Sequence, residues 1–136
     1  MDPIRLFSII SWIALPTVMF GGYSLLQLRV RGNPWLTPFR ASYFRLGHAH
    51  AGVLLVMSLV YYTYLAQTTF PGGLKLAACI LLLIGLLAQS GGFFLHMMIG
   101  KPKRSSAGTL VTISGASLLA LVTLLLAVGL IVAHPM

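Results

Sequence analysis

Acidic side chains are almost missing from this chain: of 136 residues one is Asp, Asp2, and none is Glu. That scarcity excludes whole classes of chemistry. A magnesium-dependent phosphate or prenyl transfer needs carboxylates to hold its metal, a glycosidase uses a pair of them, and a carboxylate proton relay needs them inside a span. Cysteine is equally scarce. The single one, Cys79, lies within an apolar run, so no intramolecular disulfide or redox pair is available and a buried packing role is expected. Charged residues of both signs amount to 7% of the chain, hydrophobic ones to 58%, and the mean hydropathy is +0.96. Such values belong to a chain whose solvent is lipid. Nine Lys and Arg leave a net charge of +8, which in a soluble protein would suggest nucleic acid. Here the basic residues flank apolar runs, where they set membrane topology, and no nucleic-acid partner is expected.

The charges divide the chain into uncharged runs from Leu6 to Leu28, Leu46 to Leu74, Leu76 to Gly100 and Ser105 to Met136. Each exceeds the ~20 residues that a helix needs to cross a bilayer. They predict an all-α integral membrane protein, one membrane domain over residues 1–136. Its architecture is an up-down-up-down bundle of four transmembrane helices at approximately 4–28, 47–66, 74–99 and 108–133. The first helix is too long for a signal-peptide core and has no small-residue cleavage site, so it is expected to be retained. Pro16 near its middle should kink it. The linker "RVRGNPWLTPFRASYFR", residues 29–45, reads as a segment lying along the membrane surface, "QTTFPGG" as a tight polar turn, and "GKPKRSSAG" as a basic turn stopped by Pro102. Arg29, Arg31, Arg40, Arg45, Lys101, Lys103 and Arg104 fall in the first and third linkers, against Arg5 and Lys75 on the other side. The bias predicts cytoplasmic linkers and both termini outside, in a bacterial inner (plasma) membrane.

Up-down threading brings three of the four histidines to one depth. His48 and His50 enter helix two and His96 leaves helix three on the same side, whereas His134 lies at the opposite end. Residues two apart on a helix project about 160° from each other, so only one of His48 and His50 can face a given interhelical site. Gly85, Gln89, Gly92 and His96 form one stripe on helix three, with His96 expected to lean over Gly92. Glycines at that spacing admit either a close helix or a flat ring. Neutral imidazole is a common iron ligand, so one reading is a b-type haem between helices two and three. His96 and one of His48 or His50 would be axial, His50 being preferred for its depth. Arg45 or Arg40, with Lys101, would meet the propionates. The other reading is structural: interfacial histidines hydrogen-bond to backbone, headgroups or water. "YYTY", residues 61–64, reads as an aromatic belt. The methionines lack the repeated spacing of a Cu(I) carrier.

"GHAHAG", Gly47 to Gly52, resembles the H-x-H-x-G segment on the haem-bearing helix of the haem-copper oxidase and nitric oxide reductase catalytic subunits. The resemblance covers about six residues. It implies a high-spin haem ligand at His48 and a low-spin one at His50, with His96 as a possible opposite ligand. That superfamily has twelve helices and three copper-ligand histidines, which four spans cannot supply, so oxygen or nitric oxide reduction is not implied.

The sequence therefore leads to a small membrane protein that binds haem b for electron transfer or haem handling. Its alternative is a non-catalytic accessory subunit of a larger membrane complex, with structural histidines. Neither reading requires a stand-alone enzyme, and none is expected. A channel or transporter ranks below both for want of intramembrane charge. Membrane lipids, further copies of the chain or other membrane subunits are the expected partners.

Overall fold

The computed structural model describes residues 2–133; His134 lies outside them. The chain forms four helices, α1 (Pro3–Val30), α2 (Pro38–Leu65), α3 (Gly72–Ile99) and α4 (Ala107–Ala133), and among the described residues there is no strand. Each helix has 27 or 28 residues, about 40 Å at 1.5 Å per residue. That exceeds the ~30 Å hydrocarbon layer. All four are long and apolar enough to span a membrane, and the protein is a four-helix integral membrane bundle.

Local chemistry explains where the helices start and stop. The carboxylate of Asp2 accepts from the backbone N–H groups of Ile4 (3.2 Å) and Arg5 (3.4 Å), with Pro3 in the first helical position. The only acid of the chain thus caps α1. α1 continues as helix through Pro16. Gly32, at φ 58°, ends α1. Its N–H bonds to the Arg29 carbonyl and that of Asn33 to the Leu28 carbonyl, both at 3.0 Å, a pairing that needs the left-handed conformation glycine adopts cheaply.

The surface segment expected at residues 29–45 is shorter than the sequence suggested. α2 begins at Pro38, more than two turns before Gly47. Thr37 is the reason, since its hydroxyl accepts from the Arg40 N–H at 3.3 Å and Pro38 follows with its φ already helical.

Successive helices run antiparallel. Ser11 of α1 meets Ser58 of α2, Gly47 of α2 meets Phe94 of α3, and Gly92 of α3 meets Gly108 of α4. α2 and α3 hold the middle, α1 flanks α2, α4 flanks α3, and α1 and α4 do not approach each other. Accordingly 28% and 39% of the most apolar windows of α2 and α3 are buried, against 11% for each outer helix. The hydrophobic core occupies the half of the bundle away from the arginine-bearing loops and is built on Phe7, Tyr62, Leu65, Cys79, Leu82 and Val122. Cys79 is fully buried, as expected.

"YYTY" is not a belt. Tyr61 and Tyr62 are buried, and only Tyr64 of the three is exposed. The Tyr61 hydroxyl donates to the Val122 carbonyl of α4 at 3.1 Å, so this stretch turns inward because a buried acceptor is there to satisfy it.

Between inserted helices the hydrophobic effect gives little net attraction, and close packing of small residues takes its place. The α3–α4 seam is the clearest case. A Cβ on Gly92 would collide with the Thr112 hydroxyl and backbone, one on Gly108 with the His96 backbone, and one on Gly115 with the Gln89 backbone. Glycine is required at these points for the helices to meet backbone to backbone.

Candidate functional site: the histidine level

His48, His50 and His96 all lie in the half of the bundle nearer the loops Arg31–Thr37 and Gly100–Ser106. Their rings face different surroundings.

His48 faces α1. A Cβ built on Gly22 would stand 2.9 Å from its Nε2, and one on Gly21 would be 3.4 Å from its Nδ1. Two adjacent glycines thus make a flat bed for the imidazole, a role that "GG" in the first helix did not disclose. His50 faces α3, with its ring 4.7 Å from that of Phe93. The opposed directions expected for residues two apart are observed. The His50 Nδ1 lies 2.8 Å from the Leu46 carbonyl. A carbonyl can only accept, so in the neutral ring Nδ1 carries the proton and Nε2 the lone pair.

His96 is buried at 5% exposure. Its ring lies 4.4 Å from Tyr43 and 5.6 Å from Phe39, both on the first turns of α2. Its Nδ1 meets the Ser106 hydroxyl at 2.7 Å and that of Thr109 at 3.3 Å. Ser106 is the cap of α4: its hydroxyl accepts from the Gly108 N–H (3.1 Å) while the Thr109 hydroxyl accepts from the Ser106 N–H (3.2 Å). This is a reciprocal capping box with Thr in the third position, and His96 ties the end of α3 to it. Either proton assignment satisfies the Nδ1 contact, but only with the proton on Nδ1 does Nε2 offer the lone pair an iron needs.

His96 does not lean over Gly92. The space beside Gly92 is filled by Thr112 and Gly108, and the His96 ring lies instead against Gly100. The general tilt of helical side chains toward the N-terminus yields here to the hydroxyl of Ser106, which lies beyond the end of α3. Ser106 was missed from sequence, although Ser-x-x-Thr ahead of an apolar run is a helix-start signal.

The expected pair His50 and His96 share one neighbour, Phe93, which packs on the first and lines the cavity beside the second. That cavity, bounded also by Tyr43, Thr109, Thr112 and Ile113, measures about 180 Å³, below the ~300 Å³ at which small-molecule sites begin. Between α2 and α3, Phe94 covers Gly47 and stacks edge-on with Phe44 at 5.4 Å. The donor chemistry at His50 fits a haem ligand and the room around His96 does not. Among the described residues no three His, Cys, Asp or Glu side chains gather as a metal site. Of the expected propionate partners, Arg40 stacks over Trp35 at 4.9 Å and donates to its carbonyl at 3.1 Å. The Arg45 Nε donates to the Ala41 carbonyl at 3.3 Å.

Comparison of the chain with known protein families, with curated protein sequences and with solved structures returns no match.

Proposed function

We propose that this protein is a non-catalytic subunit of a larger membrane assembly, in which His96 and His48 serve the bundle itself. The observation that carries the reading is the bond between His96 and Ser106. The most deeply buried histidine among the described residues is engaged in fastening α3 to the cap of α4, under aromatic rings from α2. The outer helices fit the same role, since large apolar side chains such as Ile13 and Phe20 of α1 and Leu124 and Ile131 of α4 are exposed and can meet lipid, another copy or another subunit. We infer a plasma membrane of bacterial type, with the two arginine- and lysine-bearing loops on the cytoplasmic side, from the charge bias.

A second reading is kept by one observation at His50. With Nδ1 held by the Leu46 carbonyl, its Nε2 lone pair is oriented and has no protein partner, the arrangement in which an outer-shell hydrogen bond prepares a metal-binding histidine. A haem b ligated there would take its second ligand from another copy or chain, or from His96 after Phe93 moves.

One preparation tests both. Protein extracted from its native membrane in mild detergent, with lipid retained, is expected to show a native mass above that of one chain and no Soret band. A strictly monomeric mass would overturn the subunit reading. A Soret band that disappears in His50→Ala would establish the haem reading in its place. His96→Ala is expected to lower thermal stability without a spectral change.

A further inference from the structure

Seven basic side chains gather at one end of the bundle, and the described residues place no carboxylate there, since Asp2 caps α1 at the other end. Arg40 is engaged by Trp35. Arg29 and Arg45 are not so engaged. One from α1 and one from α2, they line a cleft of about 480 Å³ in the elbow between these helices, together with polar Asn33 and Ser42 and apolar Leu28 and Leu36. The Arg45 Nε is held by the Ala41 carbonyl, which leaves the terminal nitrogens of its fork without a protein acceptor. Two guanidinium groups lacking a counter-ion in one cleft suit a phosphate, which they bind by charge-assisted and bidentate hydrogen bonds.

The cleft continues into the apolar region. Ser42 and Arg45 also border a second hollow with Leu46 and Ala49, and Ala49 borders a third with His50 and Val53. Ser42, Leu46, Ala49 and Val53 recur at four- and three-residue steps, so the hollows run as one groove along a single face of α2. A free phosphate would use the cleft alone. The groove supplies what a free phosphate has no use for, a track for an acyl chain leading down from the charged end.

We propose that the α1–α2 elbow binds one anionic phospholipid, its phosphate between Arg29 and Arg45 and an acyl chain along the Ser42–Leu46–Ala49–Val53 face of α2. The site does not rest on the subunit reading, and because its groove passes the hollow beside His50, a haem at His50 and the acyl chain would compete for the same space. It differs from a diffuse basic surface, whose attraction would be shared by Lys101, Lys103 and Arg104.

The test uses the whole chain in nanodiscs of mixed phosphatidylglycerol and phosphatidylcholine, read by native mass spectrometry after release. One phosphatidylglycerol retained per chain is expected. Arg29→Gln and Arg45→Gln should each lower that retention about fivefold, the effect of about 1 kcal/mol per basic residue near the surface. Lys101→Gln combined with Arg104→Gln should leave it unchanged. Ala49→Leu, which fills the groove and keeps both arginines, should lower phosphatidylglycerol retention. Circular dichroism identical to wild type confirms that each variant is folded. Equal retention of the two lipids, or equal loss in the Lys101 and Arg104 variant, would overturn the proposal. Displacement of the lipid by inorganic phosphate as readily as by phosphatidylglycerol would overturn the acyl-chain part and leave an anion site.

Discussion

At the scale of single residues, His50 and His96 are held by hydrogen bonds, the first to the Leu46 carbonyl and the second to the Ser106 and Thr109 hydroxyls. His96 and Ser106 form the tightest unit, because Ser106 serves the ring and the Gly108 N–H at once. Ser106→Ala removes a helix cap, at about 1 kcal/mol, and leaves the buried His96 Nδ1 only the longer contact to the Thr109 hydroxyl, at a further ~1 kcal/mol. Reversible unfolding in mild detergent should therefore show a loss of about 2 kcal/mol. His96→Ala introduced into Ser106→Ala should cost less than in the wild type; additive losses would mean that the bond contributes nothing. The pair Ser11–Ser58, at 2.9 Å, should couple more weakly. Ser58 already bonds to the Leu55 carbonyl at 2.7 Å, and side-chain hydrogen bonds between membrane helices average about 0.6 kcal/mol.

At the scale of elements, the α3–α4 seam depends on glycine at defined positions. Gly91 and Gly92 are adjacent and differ completely: nothing lies near a Cβ placed on Gly91, whereas one on Gly92 meets Thr112 and the Gly108 carbonyl. Gly91→Ala should be neutral or stabilising by up to about 1 kcal/mol, the helix-propensity gain of alanine. Gly92→Ala should destabilise by about 1–3 kcal/mol, the range for overpacking. Thermal unfolding of the two variants side by side separates the effects, and equal behaviour would show that the seam tolerates separation. The stripe Gly85–Gln89–Gly92–His96 was legible in the sequence because its spacing is a property of one helix. Which partner it receives was not, and helix α4 rather than a ring or α2 fills it.

For the whole molecule, the seven basic residues at one end against Arg5 and Lys75 at the other bear on orientation. An impermeant maleimide applied to intact cells should label Gln67→Cys and spare Asn33→Cys and Lys103→Cys. The native cysteine, fully buried, stays silent. Labelling of Asn33→Cys and Lys103→Cys with Gln67→Cys protected would reverse the topology.

The number of helices, their membrane character and the short second and third loops follow from composition and the spacing of charges, because lipid forces every backbone polar group to be satisfied within the span. The opposed directions of His48 and His50 are likewise a property of helix geometry alone. The two extra turns at the start of α2 were readable in principle from Thr37–Pro38, but four arginines and two prolines read more readily as a surface segment. What each histidine touches depended on tertiary structure. The Gly21–Gly22 bed, Phe93 beside His50 and the Ser106 hydroxyl beside His96 come from other helices or from beyond a helix end. Periodicity states which way a side chain points and carries no information on what will stand opposite it. For His96 it was decided by the docking of α4 against the glycine stripe of α3, where the backbones come so close that a Cβ on Gly92 or Gly108 would collide.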